Sequence, residues 1–534
     1  MARPSKDLYE IGQGALTVTS AKEVGNKAWN LMRMAAAGLP VPAGFVLPTR
    51  WAKHPVDEVL AAGIAGLEKK TGLGFGSCRR PLLVSVRSGS AVSMPGMLET
   101  VLDIGLNAES VEGLIRQTGN PKLAWDCYRR LIQGYAEVVH GLAADPFDEL
   151  VAQAVSSGGV EGDRDLDFRA LRQLARDMTN LFEELAGEPF PADPRVQLRN
   201  AAEAVFRSWN SPKAVAYRRL NRIGNHLGTA VTVQTMVFGN AGGESGAGVG
   251  FTRDPASGEP GIYLDFRFNG QGEDVVAGRH RTQDREQLRR MLPAVWQQIE
   301  SICRNLEAIF RDAQDFEFTL QNGVLYLLQS RDAKRTDWAA LRIAVDLVEE
   351  GLIDACEAQR RLAGIDLETV SRRRFEKQAA EALAQAEAAS IGVVSGAIAL
   401  DCDAVERIAK EGKTAILVRR DIATDDIRGI ARAGGVLTSS GSRTSHAAVV
   451  ARQLEKVCLV GCASLEVDAA GRCCRIGERT LHEGDVLSLD GNEGCVYSGT
   501  LEAVTERPER ELAAIAGWDR SLAVEAQQIT AAGN

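Results

Sequence analysis

The stretch DFEFTLQNGVLYLLQSR, residues 315–331, constrains the fold more tightly than any other part of this chain. Two β-rich runs flank Gln321, Asn322 and Gly323, and Asn-Gly between such runs is hairpin chemistry. Strand residues alternate faces, so the loop length decides which side chains meet. A two-residue Asn-Gly loop would put Asp315 and Glu317 on the face opposite Gln329 and Arg331. A three-residue loop, with Gly323 in the left-handed position of a bulge, gathers all four on one face. Two carboxylates and an amide oxygen suit Mg²⁺, and a guanidinium forks onto phosphate oxygens. The plainer reading is a half-exposed hairpin with an ordinary salt bridge.

At 534 residues the chain has room for about three to four domains, each with its own core. Its 45% hydrophobic and 25% charged residues are those of an ordinary soluble protein. The net charge of -9 argues against a dedicated nucleic-acid binder. MARPSKDLYEIGQGALTV lacks the apolar core of a signal peptide, and no apolar run reaches the roughly 18 residues of a membrane span. The expectation is a cytoplasmic protein with neither membrane nor nucleic acid as partner. The 10 cysteines show no repeated CxxC frame, so reduced thiols are expected. Cys458 and Cys462, near His446, lack a second pair of zinc ligands.

Composition shifts mark the organisation. Residues 376–389, EKQAAEALAQAEAA, are helix formers without Gly or Pro, which predicts a semi-rigid spacer closing a helical linker over 336–390. From 391 to 505, β-rich pieces (TAILVRR, GGVLTSS, KVCLVG, DVLSLDG) alternate with helical stretches, a small α/β domain. Residues 506–534 read as a helical tail. Residues 1–335 form one larger unit. In it, Gly25, Asn26 and Lys27 open a helix, and PLLVSVR is a β-rich run ending at Arg87. The loop that follows, with Ser88, Gly89, Ser90, Ser93, Pro95 and Gly96, could bring N–H groups up to an anion, although such loops are more often plain surface. About 110–220 is mostly helical, with AWDCYRRLIQGYAEVV its clearest amphipathic piece. TAVTVQTMVFGN reads as a strand, GNAGGESGAGVG as a flexible glycine loop, and GVGFTRDPASGEPGIY as strand, turn, strand. That order is not strand, GxGxxG, helix, which argues against a Rossmann dinucleotide site.

TSSGSRTSHAAVVARQ, residues 438–453, places one of only six histidines where small polar residues give way to a small-residue apolar run. The polar residues suit a turn and an N-cap, so His446 belongs in the first turn of a helix. Taken alone, a histidine there is more often structural than chemical.

VSVRSGSAVSMPGMLETVLDIGLN, GNPKLAWDCYRRLIQ, AVFRSWNSPKAVAYRR, GTAVTVQTMVFGN, QGEDVVAG and TSHAAVVAR together resemble the pyruvate, phosphate dikinase family in order and spacing, over about residues 8–505. The resemblance implies an α/β and α+β multidomain chain: an ATP-grasp region followed by a small swivelling phosphohistidine domain. It implies Lys27 and Arg87 as triphosphate ligands and Arg331 as another phosphate contact. Glu317 and Gln329 become metal-side ligands, with Asp315 close by. The strand Val233–Val237, with Gln234, Met236 and Val237, meets adenine through its backbone, and the loop Gly242–Gly248 covers the phosphates. His446 matches the phosphorylated histidine, and Thr444 a position regulated in some members, although its plainer reading is an N-cap. The implied cofactors are ATP and Mg²⁺, bound between the two lobes of the ATP-grasp region. His446 takes the β-phosphoryl and inorganic phosphate the γ-phosphoryl, giving AMP and pyrophosphate. An attacking imidazole must be neutral, which the positive end of a helix favours, and the same helix end then offers N–H groups to the phosphate.

The family continues into a C-terminal barrel that binds pyruvate and phosphoenolpyruvate. The expectation is therefore a half-enzyme that passes its phosphoryl group to a separate barrel protein or to another acceptor, and a homodimer is compatible with the sequence. Gly25-Asn26-Lys27 stands where the family has Gly-Gly-Lys, Ser440-Gly441-Ser442-Arg443 where it has Arg-Gly-Gly-Met, and Ile391-Gly392 where it has Pro-Gly. Two alternatives remain: a catalytically lapsed nucleotide-binding regulatory protein, and a phosphoenolpyruvate synthase-like phosphotransferase with a different acceptor.

Overall fold

Short runs rich in β-branched residues pair into the first sheet: Tyr9–Ile11 (β1), Gly44–Leu47 (β2), Val84–Gly89 (β3), Thr100–Ile104 (β4) and Ala230–Thr235 (β5), in the order β1-β2-β5-β3-β4. The structure, a computed structural model, describes residues 8–12, 14, 16, 20–92, 94, 98–160, 162–271, 284–376, 381–422, 426–441, 446–468 and 471–518, without the side chains of 220, 284, 285, 446, 447, 449 and 453. The chain divides into two units, Met1–Gly246 with Phe318–Ser330, and Ala247–Glu317 with Arg331–Asn534.

In the first unit, Asn26–Ala36 (α1) precedes β2, and the helical stretch expected at 110–220 is present. Pro121–His140 (α2), Phe168–Ala186 (α3) and Pro194–Ser208 (α4) begin at Asn120, Asp167 and Asp193, whose side chains accept from N–H groups of the first turn. Their apolar faces (Tyr135, Phe182 and Val205 among them) share one core with Val84, Val86 and Val233 of the sheet.

The second sheet holds Gly246–Arg253 (β6), Pro260–Phe268 (β7), Gln314–Gln321 (β8) and Val324–Asp332 (β9), in the order β9-β8-β6-β7. The tip of the β8–β9 hairpin counts with the first unit and its base with the second. The glycine loop expected over 239–250 ends at residue 245, because Gly246, Gly248 and Gly250 are in β6, which is buried throughout. Missing side chains are what allow this: a Cβ on Gly250 would stand 2.7 Å from the Phe316 ring. Arg253, 2% exposed at the end of β6, donates to Glu307 at 3.0 and 2.9 Å and to Glu350 at 2.9 and 2.7 Å. Those carboxylates stand on or beside Pro293–Phe310 (α5) and Asp337–Glu349 (α6), and they compensate the buried cation that fixes β6. Ala355–Leu362 (α7) follows.

The segment 376–389 is not a helix where it is described. Ala384–Gln385 (β10) and Glu387–Ser390 (β11) are strands, so the helical linker expected over 336–390 is confined to α6 and α7. Propensity is a weak prior, and pairing overrides it here: β11 runs antiparallel to Val457–Val460 and β10 to Cys495–Ser498, with Ala389 fully buried. These strands close an eight-stranded sheet with Val393–Ala399 (β12), Ala415–Arg419 (β13), Gly435–Thr438 (β14), Val457–Val460 (β15), Val486–Asp490 (β16) and Cys495–Ser498 (β17), ordered β10-β17-β16-β12-β13-β14-β15-β11. The run β12 to β15 is parallel and is crossed by Cys402–Lys410 (α8), Ile427–Arg432 (α9) and His446–Gln453 (α10), whose Val405, Ile408, Ile430, Ala448 and Ala451 share one apolar layer with the sheet. The chain enters and leaves this domain through a two-stranded ribbon, Arg372–Phe375 against Ala503–Glu506, in which Arg372 Nε bonds Glu506 at 3.0 Å. A helix over 509–518 follows, and residues 519–534 lie outside the described part. Among the described residues no helix is long and apolar enough to cross a membrane.

Candidate functional site

Lys27 is placed by backbone contact. Gly25 has φ 79°, and a Cβ on it would stand 2.3 Å from Gly89 O, so only glycine fits where α1 begins against the end of β3. The Asn26 N–H donates to Ser90 O at 2.8 Å, and half-buried Lys27 follows in the first turn. Arg87, on β3, donates through Nη1 to Leu328 O at 3.3 Å. Ser93, Pro95 and Gly96 of the expected anion loop lie outside the described residues.

β5 is less available to a base than the sequence suggested. Gln234 pairs with both Gly44 and Ser85, its side chain is 1% exposed, and its Nε2 donates to Pro42 O at 3.1 Å. The Met236 N–H donates to Leu83 O at 2.9 Å. β5 is an interior strand, so Gln234 sits within the ladder and the Met236 N–H is taken by Leu83 O. Val237 is the first position past the ladder.

At the hairpin, Asn322 (φ 49°) and Gly323 (φ 79°) are both left-handed, which is the two-residue type I′ loop. That loop alone would separate Asp315 from Arg331. Arg331 Nε nevertheless donates to Asp315 Oδ2 at 2.8 Å, and Gln314 Nε2 to Asp332 Oδ1 at 2.9 Å. A strict register from Gln321 opposite Val324 would set Arg331 opposite Gln314. The observed pairs are offset by one, so β9 absorbs an extra residue between tip and base, the effect of a bulge. Gln329, 9% exposed, stands two positions before Arg331 on β9.

Burial raises the Asp315 carboxyl above the ordinary carboxylate range; Arg331 opposes the rise and Glu317 adds to it. Burial works to lower the Arg331 guanidinium, and Asp315 and Glu317 more than offset that. Asp315 is 7% exposed, and its Oδ1 has no hydrogen-bond partner among the described residues. An unpartnered buried carboxylate oxygen is costly, and a cation beside it removes the cost. Among the described residues no three or more His, Cys, Asp or Glu side chains gather to hold a metal. Mg²⁺ commonly takes only one or two carboxylates and fills its shell with phosphate oxygens and water. Asp315 and Glu317 fit that chemistry.

Helix α10 begins at His446, in the first turn as expected; the histidine side chain, Thr444 and the rest of 442–445 lie outside the described residues. Just upstream, Ser440 donates to Arg420 O through its N–H at 2.9 Å and its hydroxyl at 2.7 Å. Ser440 therefore brings no charge where the resemblance expects an arginine. The residue that sequence reasoning missed is Arg452, the last residue of TSHAAVVAR. It is 7% exposed, donates to Ala389 O at 3.2 and 2.9 Å, and its charge acts on Asp315. One arginine in a run of Ala and Val was the available signal.

Two family models match the chain: "Pyruvate phosphate dikinase, AMP/ATP-binding domain" over residues 50–291, and "PEP-utilising enzyme, mobile domain" over 411–494. The first includes Arg87 and β5, the second His446; Lys27 and the hairpin fall outside both. The pyruvate, phosphate dikinase of Clostridium symbiosum is 41% identical over 512 residues, 93% of this chain and 58% of its own length. That of Rhizobium meliloti is 39% identical over 533 residues, 96% and 59%. A protein of Mesembryanthemum crystallinum named pyruvate, phosphate dikinase, chloroplastic, is 38% identical over 534 residues, 97% and 56%. The chain is related to the pyruvate, phosphate dikinases. It spans 56–59% of the length of these relatives.

Proposed function

We propose that the chain is an ATP-dependent phosphotransferase of the pyruvate, phosphate dikinase kind, which takes a phosphoryl group onto His446 and passes it on. The observation that carries this reading is the Asp315 carboxylate, with one oxygen paired to Arg331 and the other buried without a hydrogen-bond partner among the described residues. Support comes from His446 opening a helix within the segment that matches a mobile domain. The roles are these. Lys27, Arg87 and Arg331 hold phosphate oxygens, and Arg331 does so as a fork. Asp315, Glu317 and Gln329 hold Mg²⁺, which when bound offsets charge on the phosphates. The segment at Val237, just past the β5 ladder, meets the base.

A neutral His446 imidazole attacks the β-phosphorus in line, and the bond from that phosphorus to the α–β bridging oxygen breaks, so AMP leaves. The γ-phosphoryl goes to inorganic phosphate as pyrophosphate, and the β-phosphoryl stays on His446. It then passes to pyruvate or another acceptor bound outside the two matched segments. The ATP-grasp and swivelling arrangement belongs to this reading, with 1–335 as the nucleotide region, 391–505 as the histidine domain and the ribbon as the hinge. ATP carrying label at the β-phosphate should give an acid-labile label on the wild type and none on His446→Ala. A wild type that stays unlabelled with ATP, Mg²⁺ and inorganic phosphate present sinks the reading.

A further inference from the structure

Helix α10 turns one cation inward. Arg452 donates from Nε and Nη2 to Ala389 O, at 3.2 and 2.9 Å, which ties the helix to β11 inside the eight-stranded domain. The same guanidinium lies 5.9 Å from the ring centroid of Phe251, a residue 5% exposed on β6. β6 is the neighbour of β8 in the other sheet, and the Arg452 charge acts on Asp315 of β8, offsetting part of the cost of burying that carboxylate. One side chain, 7% exposed, thus meets elements of two different sheets. It stands six positions after His446, about 9 Å along the helix at the usual rise. The Ala389 carbonyl explains the contact within its own domain. It does not explain a guanidinium over an aromatic ring of the nucleotide-side sheet, a placement that is favourable when desolvated.

We propose that Arg452 is a positioning residue that seats the histidine-bearing helix on the nucleotide-side sheet, through Phe251, in the state in which His446 is charged. The consequence for catalysis rests on His446 being the acceptor; the seating does not. Arg452→Ala and Arg452→Lys in the full chain test both. Without nucleotide, small-angle scattering should show a larger radius of gyration for Arg452→Ala than for the wild type, with Arg452→Lys close to the wild type. In single turnover, labelling from β-labelled ATP should fall roughly tenfold or more in Arg452→Ala, the size of an ordinary coupling between sites, and recover in Arg452→Lys. Phosphoramidate can phosphorylate a histidine without a nucleotide, and its labelling of Arg452→Ala should match the wild type. Equal losses with both donors would make Arg452 a support of its own domain only and overturn the proposal. Unchanged scattering together with unchanged labelling from ATP overturns it as well. Expansion of Arg452→Ala with no labelling of the wild type by ATP supports the seating and refutes the acceptor reading alone.

Discussion

Gln234 of β5 and Asp315 at the base of the β8–β9 hairpin are both buried polar side chains, and they are partnered differently. Gln234 on β5 donates its side-chain amide to Pro42 O at 3.1 Å, and its backbone carbonyl accepts from the Ser85 hydroxyl at 3.4 Å, with strands on either side. Asp315 has one oxygen on Arg331 and the other without a hydrogen-bond partner among the described residues. A satisfied buried polar group is scaffold, since it already has in the folded chain what water offered it. An unsatisfied one lowers stability until something else binds, and that is how a ligand site differs from a framework of the same polarity.

The contrast can be broken most directly at Asp315. Asp315→Asn should cut histidine labelling from ATP by about a hundredfold or more, the usual size of losing one group that stabilises transferred charge, while the thermal midpoint without ligand holds or rises. If the midpoint falls by several degrees alongside activity, the hairpin base is scaffold too. Gln234→Ala should do the opposite. It leaves Pro42 O without its donor and should lower the unfolding free energy by about 1–3 kcal/mol, with ATP affinity by calorimetry unchanged in the folded protein. Weakened ATP binding at full stability would place Gln234 in the site.

The smallest effect sharpens the scaffold side. Burial pushes the Glu483 carboxyl up, but hydrogen bonds from Arg472, the Leu400 N–H and Arg407, with the charge of Arg472, hold it below its ordinary value. A depressed carboxylate stabilises the fold above its ordinary range, and that contribution disappears as pH falls through the folded value. Urea midpoints of Glu483→Gln should therefore lie below the wild type at pH 7 and converge with it in acid, below the ordinary carboxylate range. A gap that stays constant across that window would show that Glu483 acts through packing.

Much of this architecture could be read from the chain because its signals are local. Asn120, Asp167 and Asp193 cap helices whose apolar faces repeat at the helical period, and Asn322-Gly323 forms the turn its residues favour. What could not be read depends on partners far along the chain. The Ala-rich segment before residue 390 is a strand because β15 and β17 offer it edges, and no propensity encodes that. The faces of the hairpin at its base follow from a residue absorbed within β9, which the turn does not announce. Of the candidate residues, Asp315, Glu317 and Arg331 are brought together, and Lys27 and Arg87 stand where backbone contacts hold them. Gln234 was named from the strand that carries it, and a strand shows its alternation in sequence but not whether both its edges are occupied.

The ribbon of Arg372–Phe375 against Ala503–Glu506 makes the eight-stranded domain a loop tied off at its neck. Both chain ends of that domain leave side by side, so any swing carries them together as one leaf, and twisting about the leaf is opposed by the Arg372–Glu506 bond as well as by the backbone pairs. A single proteolytic nick between residues 391 and 502 would leave both fragments still anchored at the neck.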